Sequence, residues 1–133
     1  MIHTFPFYIQ NAVSSLKAKG AIPIVSSQTP DNLWSDGLIG APSRFVGYAQ
    51  ISAQRTGVTY VDHYAYVAQV YDKLGQTIVK TYYPHDHIHT SPVGANVVAK
   101  AFVTALLCGS SSLNVHRRDV VLGKSLHLDV LPC

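Results

Sequence analysis

Asp86 and His89 stand three residues apart in the segment Tyr83-Pro84-His85-Asp86-His87-Ile88-His89-Thr90-Ser91-Pro92. At that spacing in a loop, a carboxylate can hold one nitrogen of an imidazole so that the other faces outward as a base. Ser91 suits a helix N-cap, and Pro92 suits the first helical position, where a missing N–H costs nothing. The acid and the base therefore ride on a short polar loop whose far end is pinned by a helix start. Such a pair serves the attack of a hydroxyl on an electrophile, the imidazole taking the proton and the carboxylate setting its tautomer.

The same stretch admits a second chemistry. His85, His87 and His89 alternate, Asp86 and the adjacent Asp62-His63 could join them, and imidazoles with carboxylates suit zinc. The helical and Cys-x-x-Cys spacings of common zinc sites are absent. Ser26 and Ser27 offer hydroxyls at the end of an apolar run, but nothing beside them suggests activation, and capping or turn roles fit them. Tyr82 and Tyr83 could stack on a sugar, although packing into the core is the expectation. His87 reads as solvent-facing and His63 as a strand-end residue; neither is assigned a catalytic role.

The elements that must position these residues follow from periodicity. Thr4 opens a helix with Phe5, Ile9, Ala12, Val13 and Leu16 on one stripe, ending before Gly20. Ala21 to Ser27 reads as a buried strand, and Gln28 to Pro42 as a long loop. Ser43 caps a second helix carrying Phe45, Val46, Ala49 and Ala53, which stops at Gly57; Val58 to Val61 is another short strand. Tyr64, Val67, Ala68, Tyr71 and Leu74 give a third helical stripe up to Gly75. The last helix runs from Pro92 to about Leu107, with Asn96, Lys100 and Thr104 as its single wet stripe and all other faces expecting burial. Alternating helices and apolar strands indicate an α/β fold, a parallel sheet with helices on its faces and functional loops at the strands' carboxyl ends. Val120 to Leu122 and Leu126 to Leu131 are ambiguous, and there is no internal repeat.

Composition narrows the partners. Apolar residues make up 47% of the 133 and charged residues 13%, so the chain forms a core but is short of surface charge, as if something covers part of it. The net charge of +3 is spread thinly, with Arg117-Arg118 the one adjacent basic pair, which argues against nucleic acid. No apolar stretch approaches the roughly 20 residues of a membrane span. Met1-Ile2-His3 lacks the regions of a signal peptide, which taken literally means the cytosol. Cys108 and Cys133 permit a disulfide, and equally two free thiols.

Asp86-His87-Ile88-His89 followed by Thr90-Ser91-Pro92-Val93-Gly94-Ala95 resembles the last block of SGNH (GDSL-type) hydrolases, most of all the fungal rhamnogalacturonan acetylesterases. Ser26-Ser27-Gln28-Thr29-Pro30, Arg44-Phe45-Val46, Tyr60-Val61-Asp62-His63 and the helix ending at Cys108 stand in the order of that family. The resemblance implies that His89 is the general base for a serine and Asp86 its orienter, that no cofactor is needed, and that the substrate is an acetylated polysaccharide. It implies an incomplete three-layer α/β/α domain spanning residues 1–133, the C-terminal portion of such an enzyme. No Gly-Asp-Ser, Gly-x-Asn-Asp or Gly-x-Ser-x-Gly run occurs here, so the nucleophile is expected elsewhere and the chain alone is expected to be inactive. The resemblance also implies a Cys108 to Cys133 disulfide and an extracellular parent protein. The alternatives left by the residues are a non-catalytic fragment or interaction module and a small zinc-binding protein.

Overall fold

A computed structural model describes residues 3–109. Val120 to Leu122, Leu126 to Leu131 and Cys133 lie outside the described residues. In chain order the elements are α1 (Phe5–Ala18), β1 (Ile24–Ser26), β2 (Trp34–Ser35), β3 (Leu38–Ile39), α2 (Arg44–Thr56), β4 (Thr59–Val61), α3 (His63–Leu74), α4 (Gln76–Lys80) and α5 (Pro92–Cys108). β1 and β4 pair in parallel, with Val25 opposite Tyr60. This is the α/β architecture expected from the alternating pattern, its two strands being the two apolar runs.

Strand side chains alternate between faces, so the paired Val25 and Tyr60 share one face while Val61 points to the other. On the first face Val25 packs with Val13 of α1 and with Ala49 and Ala53 of α2, where small residues let the helices sit close. A second cluster joins Val67 and Tyr71 of α3, Val79 of α4, Tyr83 and Ala101 of α5. α5 packs along α3 and also touches β4, which places the second cluster beside the sheet. Burying a Val-sized side chain contributes about 1.5–3 kcal/mol, so each cluster is a substantial source of stability among the described residues.

Four local features depart from the sequence reading. The Gln28 to Pro42 loop contains a small antiparallel hairpin, β2 with β3, whose two-residue turn Asp36-Gly37 has positive φ at both positions (51° and 80°). Asp-Gly, here between Trp34-Ser35 and Leu38-Ile39, is a sequence signature of that turn. A short helix, α4, lies in what reads as a loop before Tyr82. The wet stripe on α5 is only half wet: Asn96 is exposed, but Thr104 is buried, its hydroxyl donating to the Lys100 carbonyl at 3.0 Å. Threonine is tolerated there because it satisfies itself on the preceding turn. Val93, on a face expected to be covered, is exposed.

Candidate active site

The loop between α4 and α5 is held at its far end by α5. Ser91 caps that helix, its Oγ accepting from the Gly94 N–H, with Pro92 as the first helical residue. Ser91 N–H donates to the Tyr82 carbonyl at 2.6 Å, tying the two ends of the loop together. Gly94 is where the two ends touch: a Cβ there would stand 2.7 Å from the Tyr82 Cβ, closer than any side chain tolerates. Tyr83 is buried, its hydroxyl 3.0 Å from that of Tyr71. Tyr82, partly buried, packs against the same cluster, so both tyrosines contribute to the core, as the sequence suggests.

Between these anchors Asp86 organises the turn. Its Oδ1 accepts the backbone N–H groups of Ile88 and His89, each at 2.7 Å, and its Oδ2 lies 2.6 Å from His89 Nδ1. The two backbone bonds form an Asx-type turn that fixes where the second oxygen points. An ionised carboxylate only accepts, so Nδ1 carries a proton, and in the neutral ring Nε2 presents a lone pair. The His89 side chain is 79% exposed, so that lone pair is open to a reactant. The His89 backbone N–H, the His89 ring and the Ile88 N–H together hold the Asp86 carboxyl well below the usual carboxylate range, so it stays charged wherever the protein is folded at ordinary pH.

The remaining sequence candidates go elsewhere. His85 and His87 are exposed on the loop. Asp62 caps α3, accepting from the Ala65 N–H at 3.0 Å. His63 is the first residue of α3 rather than a strand end, its Nε2 donating to the Val98 carbonyl at 2.8 Å while the ring meets Phe102 edge-on. Burial lowers its pKa. Ser27 is buried with its Oγ accepting from the Tyr64 N–H, and Ser26 donates to the Ser27 carbonyl. Both serines thus do structural work. Among the described residues no three His, Cys, Asp or Glu side chains converge as a metal site would require.

Residues that sequence reasoning passed over brace the loop from outside. Asn32 N–H donates to the His87 carbonyl at 2.8 Å, and Trp34 Nε1–H donates to Asn32 Oδ1 at 2.7 Å. The Gln28 to Pro42 segment is therefore a wall of the site. It is fastened in turn by Ile39 N–H to Asp72 Oδ1 at 2.8 Å and by the Tyr64 hydroxyl to the Gly40 carbonyl. Only the Asp-Gly turn hinted at such order.

Compared with known proteins, the chain is 50% identical over 112 residues to a rhamnogalacturonan acetylesterase of Emericella nidulans, an alignment covering 84% of this chain and 46% of that one. The chain is a relative of rhamnogalacturonan acetylesterase. The resemblance read around Asp86 and His89 thus extends along most of the sequence, and the chain spans about half the length of the curated relative it matches. No family model matches. Among solved structures, Bacillus subtilis YxiM superposes with a TM-score of 0.70 at 19% identity, over 90% of this chain and 32% of that one, which supports the α/β fold.

Proposed function

We propose that this chain carries the general base and its orienting acid for an SGNH-type carboxylic-ester hydrolase that removes acetyl groups from a pectic polysaccharide. The observation that supports it best is the Asp86 to His89 pair: a 2.6 Å bond at Nδ1, two further backbone bonds fixing the carboxylate, and an open Nε2. The likeness to an acetylesterase supplies the substrate class.

In this reading His89 Nε2 takes the proton of a serine hydroxyl as its oxygen attacks the acetyl carbonyl carbon. The tetrahedral intermediate then expels the sugar oxygen, which receives that proton from Nε2. Water repeats the sequence, releasing acetate and restoring the serine. Asp86 stays ionised throughout and stabilises the imidazolium. The serine comes from a part of the enzyme outside these 133 residues, since the family's nucleophile block is not among them. The same kinship leads us to propose a Cys108 to Cys133 disulfide and an extracellular parent protein. Peptide mapping without reductant reads the pairing.

The test joins the chain to the part of the Emericella nidulans esterase that it does not span and follows acetate release from acetylated pectin. Activity is expected to disappear in His89→Ala and to persist in His87→Ala. The opposite pattern would move the base to His87. Turnover by the chain alone, lost in one specific Ser→Ala variant, would place the nucleophile inside it.

A further inference from the structure

The hydrogen bonds that shape the Asp86 to His89 turn are internal to it: Asp86 accepts from the Ile88 and His89 N–H groups and holds the His89 ring. They fix the acid and the base to each other but not to the sheet. Residues 84–89 are all exposed, so packing does not hold the turn in place either. Among the described residues, one hydrogen bond runs from this turn to another part of the fold, from the Asn32 N–H to the His87 carbonyl at 2.8 Å.

That bond falls on a peptide group with a second task. The His87 carbonyl and the Ile88 N–H belong to one planar unit, and the Ile88 N–H donates to Asp86 Oδ1 at 2.7 Å. Asn32 therefore holds one end of a rigid plate whose other end aims the carboxylate, and the second oxygen of that carboxylate stands 2.6 Å from His89 Nδ1. Asn32 is itself held, its Oδ1 accepting from Trp34 Nε1–H at 2.7 Å. Trp34 packs against the cluster of Val67, Tyr71, Val79, Tyr83 and Ala101. Its backbone is paired with Ile39, whose N–H donates to Asp72 Oδ1 at 2.8 Å. The relay thus begins in the core and ends at the imidazole. A carbonyl that accepts a bond makes the N–H of the same peptide a better donor, so the links strengthen one another.

We propose that Trp34, acting through Asn32 and the 87–88 peptide, is a positioning residue that sets the direction of the His89 ring in the reaction. The inference rests on the reading of His89 as the base and adds what aligns that base with a nucleophile carried outside the turn. A serine held by other elements meets Nε2 only if the turn keeps a fixed place relative to them. A misplacement of about 1 Å can cost on the order of 10²-fold in rate.

Two variants cut the relay at one bond. Asn32→Ala removes the acceptor for Trp34 and keeps the backbone N–H; Trp34→Phe removes the indole N–H and keeps an aromatic ring. In the 133-residue chain labelled with ¹⁵N, the two ring nitrogens of neutral His89 report its tautomer by NMR. The parent is expected to carry the proton on Nδ1, and both variants to shift the signals toward a mixture with the Nε2–H form. In the enzyme completed with the remainder of the Emericella nidulans esterase, both should lower kcat about tenfold and leave KM within about twofold. Asn32→Asp, which restores an acceptor, should stay within about threefold of the parent, the allowance for one added exposed charge. Leu38→Ala, on the same hairpin but outside the relay, should change neither readout. A merely structural role would lower the denaturation midpoint and leave the tautomer and kcat per folded molecule unchanged. That result, a loss confined to KM, or an Asn32→Asp variant as slow as Asn32→Ala would overturn the proposal. Asn32→Ala leaves the Trp34 ring intact and decides the question alone should Trp34→Phe fail to fold. The base assignment fails separately, on a His89→Ala enzyme that stays active.

Discussion

Two Asp and His pairs stand near helix starts in this chain, and they do opposite things. At α3, Asp62 spends its carboxylate on the Ala65 N–H and the adjacent His63 turns under α5 to bond the Val98 carbonyl. Before α5, Asp86 spends one oxygen on two backbone N–H groups and keeps the other for the His89 ring, which faces solvent. Spacing is the first cause: adjacent side chains diverge, while a three-residue turn folds the ring back onto the acid. What packs above is the second, since α5 covers His63 and, among the described residues, no helix covers His89. The same residue types thus yield a structural joint in one place and an open base in the other.

The largest effect that separates the two pairs is on rate. In the enzyme completed as above, His89→Ala should lower kcat/KM by on the order of 10⁴-fold or more, Asp86→Ala by about tenfold less, and the double variant should lose little beyond His89→Ala alone. Asp62→Ala should instead cost about 1 kcal/mol of stability through its lost cap, with the rate per folded molecule unchanged. Steady-state kinetics alongside urea denaturation separates these outcomes, and a rate loss in Asp62→Ala comparable to that in Asp86→Ala would erase the distinction.

A smaller effect probes the frame rather than the pair. Gly94→Ala puts a methyl group against the Tyr82 Cβ, at the point where the two ends of the Asp86 to His89 loop meet. Overpacking of that kind costs about 1–3 kcal/mol. The same substitution at Gly47, where a Cβ meets nothing within 4 Å, should stabilise α2 slightly by raising helix propensity. Denaturation midpoints of both variants check the contrast.

The smallest effects are in pH dependence. His63 has a pKa lowered from 6.5 by burial, so protonation favours the unfolded chain, and its share of stability should fall as pH drops below about 6.5. His63→Phe should flatten that part of a stability-against-pH curve. Asp86 also has a lowered pKa, so its share is present above the unfolded value of 3.8 and is lost only as pH falls below it. A slope between pH 5 and 7 that survives His63→Phe would assign the titration to another group.

The acid and base were legible because their geometry is local. Asp86, His89, Ser91 and Pro92 interact within a few residues, so spacing and capping rules suffice. The parallel pair of strands was legible as two β-branched runs between helices. The wall from Gln28 to Ser43 was not, because its anchors are Tyr64, Asp72 and His87, far along the chain. A loop that is polar and turn-rich looks the same whether it is loose or fastened at three points.

By itself the sequence determined the helix starts and stops, the α/β order and the Asp86 to His89 spacing, since each depends on backbone conformation and side-chain reach over a few residues. Only the tertiary structure decided that Thr104 is dry, that His63 belongs to the core and that Ser27 is a backbone acceptor. It alone brings Asn32 to His87. Those facts depend on which distant surfaces meet, and the burial of apolar surface, the dominant driving force in folding, is non-directional, so a linear pattern cannot record its outcome.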